Sequence, residues 1–462
     1  MGLLDRFRRR PAPLDPSFGQ LIGDLSGPVA RISKEGAVAT LDGSWRIEWG
    51  VLAGPEWKRA ADEKAVRQGR VDDAPVYETW MRVPGGDVIQ RVGVLNDGQG
   101  QALLIEYENA SPNAVVVATV GVGGGQVSAE LSGVRIDGVC WIRPSVDAGA
   151  VAVSDDIWTE LAAGPTAASA AGDGDVAMLV PVPHRQSVTV TVTINGDGRM
   201  RPASPTDIAA GWRAVTGAAL TVEVPDVDLA AAWRRVIGDL VLAAGSDDPV
   251  IAGEAAWWLD LAGLPGEGDR ARAQILAAAD RGRLDADGAV VALRALASRH
   301  LRHGGPTALA ETAGPLVRVA GERLDRTTAD LVARALAEEA PAASADAAEL
   351  AARLSEADRD PQSPVAAGAQ RVLGLLFRDA DLAGRIEMLP EVPASWFGQP
   401  IDVRDMATGL GTLSFSVRWH GARPAVLWER TGGPDDAELV CPGLDPSWST
   451  TERAGEALLA AP

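Results

Sequence analysis

The chain reads as a multidomain α+β protein: an antiparallel β-sandwich, then a helical-hairpin domain, then a small closing β-domain. Three observations lead there. Short apolar-alternating runs separated by turn signals fill the first part. The hydrophobic period then switches from two to about 3.6 residues. Alternation returns near the end, where Leu413, Phe415, Val417 and Trp419 fall on one face of a strand.

In order along the chain, 1–25 is a basic N-terminal segment, 26–200 the sandwich, 205–385 the helical domain and 386–462 the closing β-domain. The clearest strands of the sandwich lie at 38–41, 45–49, 77–83, 88–92, 102–108, 114–120 and 187–194. Asp42-Gly43, Pro84–Asp87, Asn96–Gly98, Ser111–Asn113 and Asn195–Gly198 turn the chain between them. Many short strands at this spacing indicate a sandwich. The Ala-, Gly- and Ser-rich stretch 161–175 reads as a surface loop.

Beyond Pro205 the period is helical. Pro225-Asp226 opens a stripe of Leu229, Trp233, Val236, Ile237, Leu240 and Val241. Further helices are expected at about 250–263, 268–280, 287–303, 307–323, 327–339, 343–356 and 364–376. The short links at 264–268 and 303–306 favour antiparallel hairpins. In the closing domain, His420–Pro424 turns two strands, and Pro424, which lacks an N–H, suits a turn or strand entry.

Composition bounds the function. Within 462 residues the formal charge is −20, which argues against nucleic acid, since phosphates call for a basic surface. No uninterrupted apolar run of about 18 residues occurs, so no transmembrane helix is expected. The start, Met1–Arg10, is basic without the apolar stretch of a signal peptide, and a cytoplasmic protein is expected. Leu3, Leu4 and Phe7 beside four arginines offer a one-sided patch for peripheral membrane contact; a plain basic lead-in to Pro11 is the simpler reading. Cys140 and Cys441 stand far apart with no histidine or second cysteine at ligand spacing. Neither a disulfide framework nor a metal site is expected. The chain has no HExxH, GxSxG or phosphate-loop motif, and Gly121–Gly125 follows a strand without opening a helix, so no cofactor is expected.

The runs Leu389–Ile401 and Leu413–Glu429 resemble, in wording and order, the closing β-domain of bacterial proteins related to six-hairpin glycosidases, the glucoamylase-like and debranching-like group. Pro75–Arg91 and Leu104–Pro112 resemble the large N-terminal sandwich of that group, and Asp285–Gly304 its recurrent helical hairpin. The resemblance implies an (α/α) toroid for the helical domain, reduced here because a closed barrel of twelve helices needs more than the available residues. It also implies an inverting hydrolysis by two carboxylates in loops at one mouth of the toroid, on an α-glucan-type substrate.

Asp247, Asp248, Glu254, Asp285 and Asp287 are the acids placed for such a role. Asp247, Asp248, Asp285 and Asp287 equally suit helix N-caps. Glu254 lies one turn from Trp257 and Trp258, whose apolar walls would suit a general acid; on a core-packed helix it is instead a solvated side chain. The family's acid and base do not map onto particular residues. Glu429, with Arg418 and Arg423 nearby, reads as a structural ion pair across the hairpin. His184, His300 and His303 lack metal-ligand spacing.

Fourteen tryptophans against five phenylalanines and two tyrosines is an unusual balance. Most should be core residues, while Trp257, Trp258, Trp419 and Trp428 are candidates for stacking on sugar rings. The functional expectation is a glycosidase-like protein, non-catalytic or divergent, binding a glycan or partner in a groove between sandwich and toroid. The alternatives are an active inverting glycoside hydrolase and a structural interaction scaffold.

Overall fold

The computed structural model describes residues 18–123, 126–136, 139–165, 167–196, 201, 203–305, 307–339, 363–380 and 384–460. The expected helix at 343–356 and the patch of Leu3, Leu4 and Phe7 lie outside the described residues. The chain divides into two compact units, Met1–Ala214 and Val215–Pro462.

The first unit is a two-sheet antiparallel sandwich. One sheet runs, in spatial order, Gln20–Asp24, Gly27–Ile32, Val38–Thr40, Arg46–Leu52, Val115–Val122, Asp175–Val182 and Ala150–Ser154, with Trp57–Arg59 paired to the Arg46–Leu52 strand. The other runs Ser169–Asp173, Gln126–Glu130, Gly133–Ile136, Val139–Pro144, Ser187–Asn195, Gln101–Asn109, Gly86–Asn96, Tyr77–Val83 and Arg67–Arg70. Period-two patterning decides which face of each strand is buried. In Tyr77–Val83, Tyr77, Thr79, Met81 and Val83 point inward while Glu78, Trp80 and Arg82 face outward. Inner residues of both sheets share one core. Trp45 meets Trp141 edge-on at 5.9 Å, and Trp49 lies 5.8 Å from Tyr107. Each such side chain, fully buried, contributes roughly 1.5–3 kcal/mol or more through area removed from water.

The stretch 161–175 is not a loop. Helix α1 (Ile157–Ala163) ends there, closed by Gly164 in the left-handed region, and Ser169–Asp173 is an edge strand paired to Gln126–Glu130. Alanine and glycine have low strand propensity, so the pairing partner rather than the local sequence sets this strand. Helix α2 (Pro205–Thr216) carries the boundary between the two units.

The second unit holds seven helices among the described residues: α3 (Val227–Ala243), α4 (Pro249–Leu261), α5 (Pro265–Asp280), α6 (Ala286–His303), α7 (Leu309–Ala320), α8 (Arg326–Glu339) and α9 (Pro364–Leu376). Four of the starts carry a side-chain cap, while α5 begins at Pro265, within the stretch 264–268 expected as a link, and has none. Asp226, Asp248, Asp285 and Ser363 cap α3, α4, α6 and α9 with side-chain oxygens on free N–H groups. Helix α4 packs against α5 and α6, α6 against α7 and α8, and α9 against α3 and α4. A mixed α+β architecture with helical hairpins is present; the twelve helices of a six-hairpin ring are not among the described residues.

The C-terminal strands form two sheets in this same unit. The five-stranded one runs Thr221–Glu223, Ile401–Thr408, Gly411–His420, Arg423–Thr431 and Ala454–Leu458, so it takes one strand from before the helices. The four-stranded one runs Phe377–Ala380, Arg385–Met388, Glu438–Cys441 and Asp445–Thr450. The hairpin is turned where His420 faces Arg423, with Gly421 at φ 66°. Leu413, Phe415 and Val417 are buried on its inner face.

Candidate functional site

Three of the nominated acids, Asp248, Glu254 and Asp285, accept from backbone N–H groups. Asp248 Oδ1 accepts from the Val250 and Ile251 N–H groups at 2.9 and 3.4 Å, and Asp285 Oδ1 accepts from Gly288 N–H at 2.8 Å. Glu254 is half-buried on α4 rather than freely solvated. Its Oε2 accepts from Ser363 N–H at 2.8 Å, at the start of α9. That partner lies 109 residues away, beyond any local pattern. Asp287 sits half-buried in the first turn of α6, and Asp247 is exposed ahead of α4.

A buried ion pair escaped the sequence reading. Arg272 of α5 donates through Nη1 to both carboxylate oxygens of Asp260 on α4, at 3.0 and 2.9 Å, and both residues are buried. Burial drives the Asp260 carboxyl upward, opposed by the charges of Arg272 and Arg302, and it settles at about 6. His303 Nε2 bonds to the Asp260 carbonyl at 2.7 Å, and Arg302 donates to the Ala407 carbonyl at 3.1 Å. Burial holds the His303 imidazole below its ordinary range. The hydrogen bonds of this cluster link α4 to α5 and α6, and α6 to the Ile401–Thr408 strand. His300 meets the Gly305 carbonyl at 3.1 Å, and no group of metal-ligating side chains occurs among the described residues.

Of the sequence-nominated tryptophans, Trp428 is buried and Trp257, Trp258 and Trp419 are half-buried. Trp257 and Trp258 are half-buried neighbours with near-parallel rings 6.2 Å apart, and the Arg294 guanidinium lies 4.9 Å from the Trp257 ring. Trp419 packs on Phe397 at 5.7 Å and donates to the Gln399 carbonyl. Trp428 is buried: Trp448 meets it edge-on at 5.3 Å, and a Cβ on Gly455 would fall 2.6 Å from its ring. The expected ion pair of Glu429 is not formed. Arg418 pairs with Asp402 at 2.7 Å, Arg423 donates to the Leu458 and Leu459 carbonyls, and Glu429 is exposed. The hairpin brings acceptors from the neighbouring strands closer than its own carboxylate.

An open cleft lies in the first unit, on the outer face of the sheet that carries Arg46–Leu52. Helix α1 is fixed there because Ile157 and Leu161 pack on Ala118, Val120, Ala150 and Ala152. It forms one wall, and the Trp57–Arg59 edge strand forms the other. The cleft has a volume of about 750 Å³ and is lined by Trp57 and Trp158, both half-buried. Each indole is held by its N–H. Trp57 donates to the Leu161 carbonyl at 3.0 Å, and Trp158 to Glu48 Oε2 at 3.2 Å. Gly50 makes room beneath, since a Cβ there would approach the Trp158 ring to 2.9 Å.

Arg59 connects this cleft to a smaller hollow of about 230 Å³ lined by Arg46, Glu48 and Trp49. Its guanidinium lies 5.2 Å from the Trp158 ring and donates to Glu48 at 2.8 Å, while Arg46 donates to the other Glu48 oxygen at 2.7 Å. Burial alone would raise the Glu48 carboxyl. The charges of Arg59 and Arg46, with hydrogen bonds from Arg46 and Trp158, outweigh it and hold Glu48 below its ordinary value. This fixed charge triad orders the Trp158 ring. Trp57 stands in the tryptophan-dense first half of the sandwich, with Trp45, Trp49 and Trp80, but nothing in the sequence around Trp158 marks it as a partner of Glu48, 110 residues away.

No protein-family model matches the chain, and no curated protein matches it. Among solved structures it is similar to a bacterial glucoamylase complexed with acarbose, at 10% identity over 80% of this chain and 70% of that one, with a TM-score of 0.47. It is also similar to a TPR-domain containing protein from Parabacteroides distasonis, at 13% identity over 76% of this chain and 84% of that one, with a TM-score of 0.17. Neither similarity supplies a residue role.

Proposed function

We propose that this chain is a non-catalytic glycan-binding protein and that the Trp57–Trp158 cleft takes the sugar. One observation carries the reading: two half-buried indoles, each pinned by its N–H, line an open cleft of about 750 Å³. Pyranose rings present apolar C–H faces that pack on indole, and a pre-ordered ring loses little entropy on binding. The carboxylates that an inverting hydrolase would draw on favour the non-catalytic side. Asp248 and Asp285 already accept from helix N–H groups, and Glu254 from the N–H of Ser363, the residue that caps α9.

The test is a titration of the purified chain with α- and β-glucan oligosaccharides, followed by tryptophan fluorescence and an assay for released sugar. Saturable binding without release is expected, and Trp158→Ala should weaken it about tenfold or more. Release of sugar that disappears in Glu254→Gln or Asp285→Asn would restore the hydrolase reading. Binding unaffected by Trp57→Ala and Trp158→Ala would place the site elsewhere.

A further inference from the structure

Two guanidinium groups line the hollow beside the cleft, and a single carboxylate serves both. Arg46 donates to Glu48 Oε1 through Nε at 2.7 Å, and Arg59 to Glu48 Oε2 through Nη2 at 2.8 Å. The Trp158 indole takes a third bond to the same carboxylate. A guanidinium carries five donor hydrogens. Arg46 Nη1 and Nη2 and Arg59 Nε and Nη1 meet no acceptor among the described residues, and Arg59 Nε is buried as well. A buried donor of a charged group without an acceptor is rare and unfavourable, and an acceptor supplied from outside the chain relieves it. Charge at this point has the same sense. Arg46 and Arg59 against Glu48 leave one positive charge in excess, and Glu35, which also lines the hollow, has Lys34 at 3.5 Å. In the cleft, Glu63 lies 3.8 Å from Lys58, while Glu56 and Asp62 are exposed, where water and salt screen them. Arg59 lines both spaces, so a group seated on it lies beside the Trp57 and Trp158 walls.

Resting on the glycan reading above, we infer that the ligand is an acidic saccharide, an oligomer of a hexuronic acid. Arg46 and Arg59 take one of its carboxylates in the hollow, and the adjoining ring packs in the cleft. The planar guanidinium matches a carboxylate as a fork of two parallel hydrogen bonds, and charge-assisted bonds of this kind are about twice as strong as neutral ones. A neutral glucan packs on the same indoles but offers the arginines only hydroxyl oxygens.

The test uses the full chain and three tetrasaccharides: α-linked galacturonate, its methyl ester and α-linked glucose. The ester keeps the shape of the acid and removes its charge. Each is titrated by calorimetry at pH 7 and about 0.15 M salt, where the field of the chain's −20 is screened beyond about 8 Å. The acid should bind about tenfold tighter than the ester or the glucose oligomer. In Arg46→Gln and in Arg59→Gln the ratio of acid to ester affinity should fall to about one, with circular dichroism verifying the fold. Arg46 is the cleaner probe, because Arg59 also lies over the Trp158 ring. Equal affinity for all three oligomers in the parent chain overturns the charge inference and leaves the glycan reading standing. A preference for the acid that survives both substitutions overturns the assignment to the two arginines. If no oligomer binds at all, the glycan reading itself falls, and the inference with it.

Discussion

Three side chains make distinct claims about pH and chemistry. Glu48 is held below its ordinary value by two arginines. Its contribution to stability is therefore complete above the unfolded value of about 4.5 and is lost as pH falls through the lowered folded value. Urea melts of the parent and Glu48→Gln should differ by a constant amount above about pH 5.5, and the gap should close on acidification. Asp260 has the opposite sign. Its folded value, about 6, exceeds 3.8, so its contribution is present below the unfolded value and is lost as pH rises toward 6. Arg272→Met removes the charge that opposes burial, and breaking such a pair costs about 3–5 kcal/mol. The loss should be larger near pH 8 than near pH 5. Cys441 is buried, and burial pushes its thiol up to about 12. In a Cys140→Ser background it should resist a thiol reagent near pH 8 until denaturant is added. Of these residues, only Cys441 stood out in the sequence. Glu48 and Asp260 owe their states to Arg59, Trp158 and Arg272, partners that folding supplies.

Elements with a strong period were legible, and those fixed by a neighbour were not. The strand Gly411–His420 and the helix α6 follow alternation and a 3.6-residue stripe, and both lie where those patterns put them. The strand Ser169–Asp173 is defined only by its ladder to Gln126–Glu130. The same contrast governs the core. Gly121 lies in the Val115–Val122 strand, and a Cβ there would fall 2.5 Å from the Trp141 ring. Gly121→Ala should thus cost about 1–3 kcal/mol through overpacking, read from the urea midpoint, although alanine is the better strand former. At the start of α9, Ser363 Oγ accepts from Ala366 N–H at 3.1 Å and Glu254 accepts from Ser363 N–H. Ser363→Ala should cost about 1 kcal/mol by losing the cap.

Across the whole chain, the order of strands, then helices, then strands was apparent from the change of period. The sheet that joins both ends of the second unit was not. Its strand Thr221–Glu223 is three residues long, too short for the alternation of exposed Thr221 and Glu223 around buried Val222 to single it out; its ladder to Ile401–Thr408 defines it. All seven described helices of the unit lie between that strand and the later strands, so removing residues 215–224 from a C-terminal fragment should destabilise the sheet and the helices together. Comparing the urea midpoints of fragments 215–462 and 225–462 checks this. The cleft was not legible either, because helix α1 and the strand Trp57–Arg59 meet through a sheet whose members are spread along the first half of the chain.

The same three-residue strand has a consequence for the timing of synthesis. Thr221–Glu223 leaves the ribosome well before Ile401–Thr408, the strand it must pair with. At about 5–20 residues per second, the wait is on the order of ten to forty seconds. Throughout that interval its backbone donors and acceptors are unmatched, while the helices that follow can form locally within microseconds. The sheet is therefore the last structure of this unit to close, and a stalled chain ending near residue 380 would carry formed helices beside an open strand edge, the form most exposed to proteases and to mispairing with another chain.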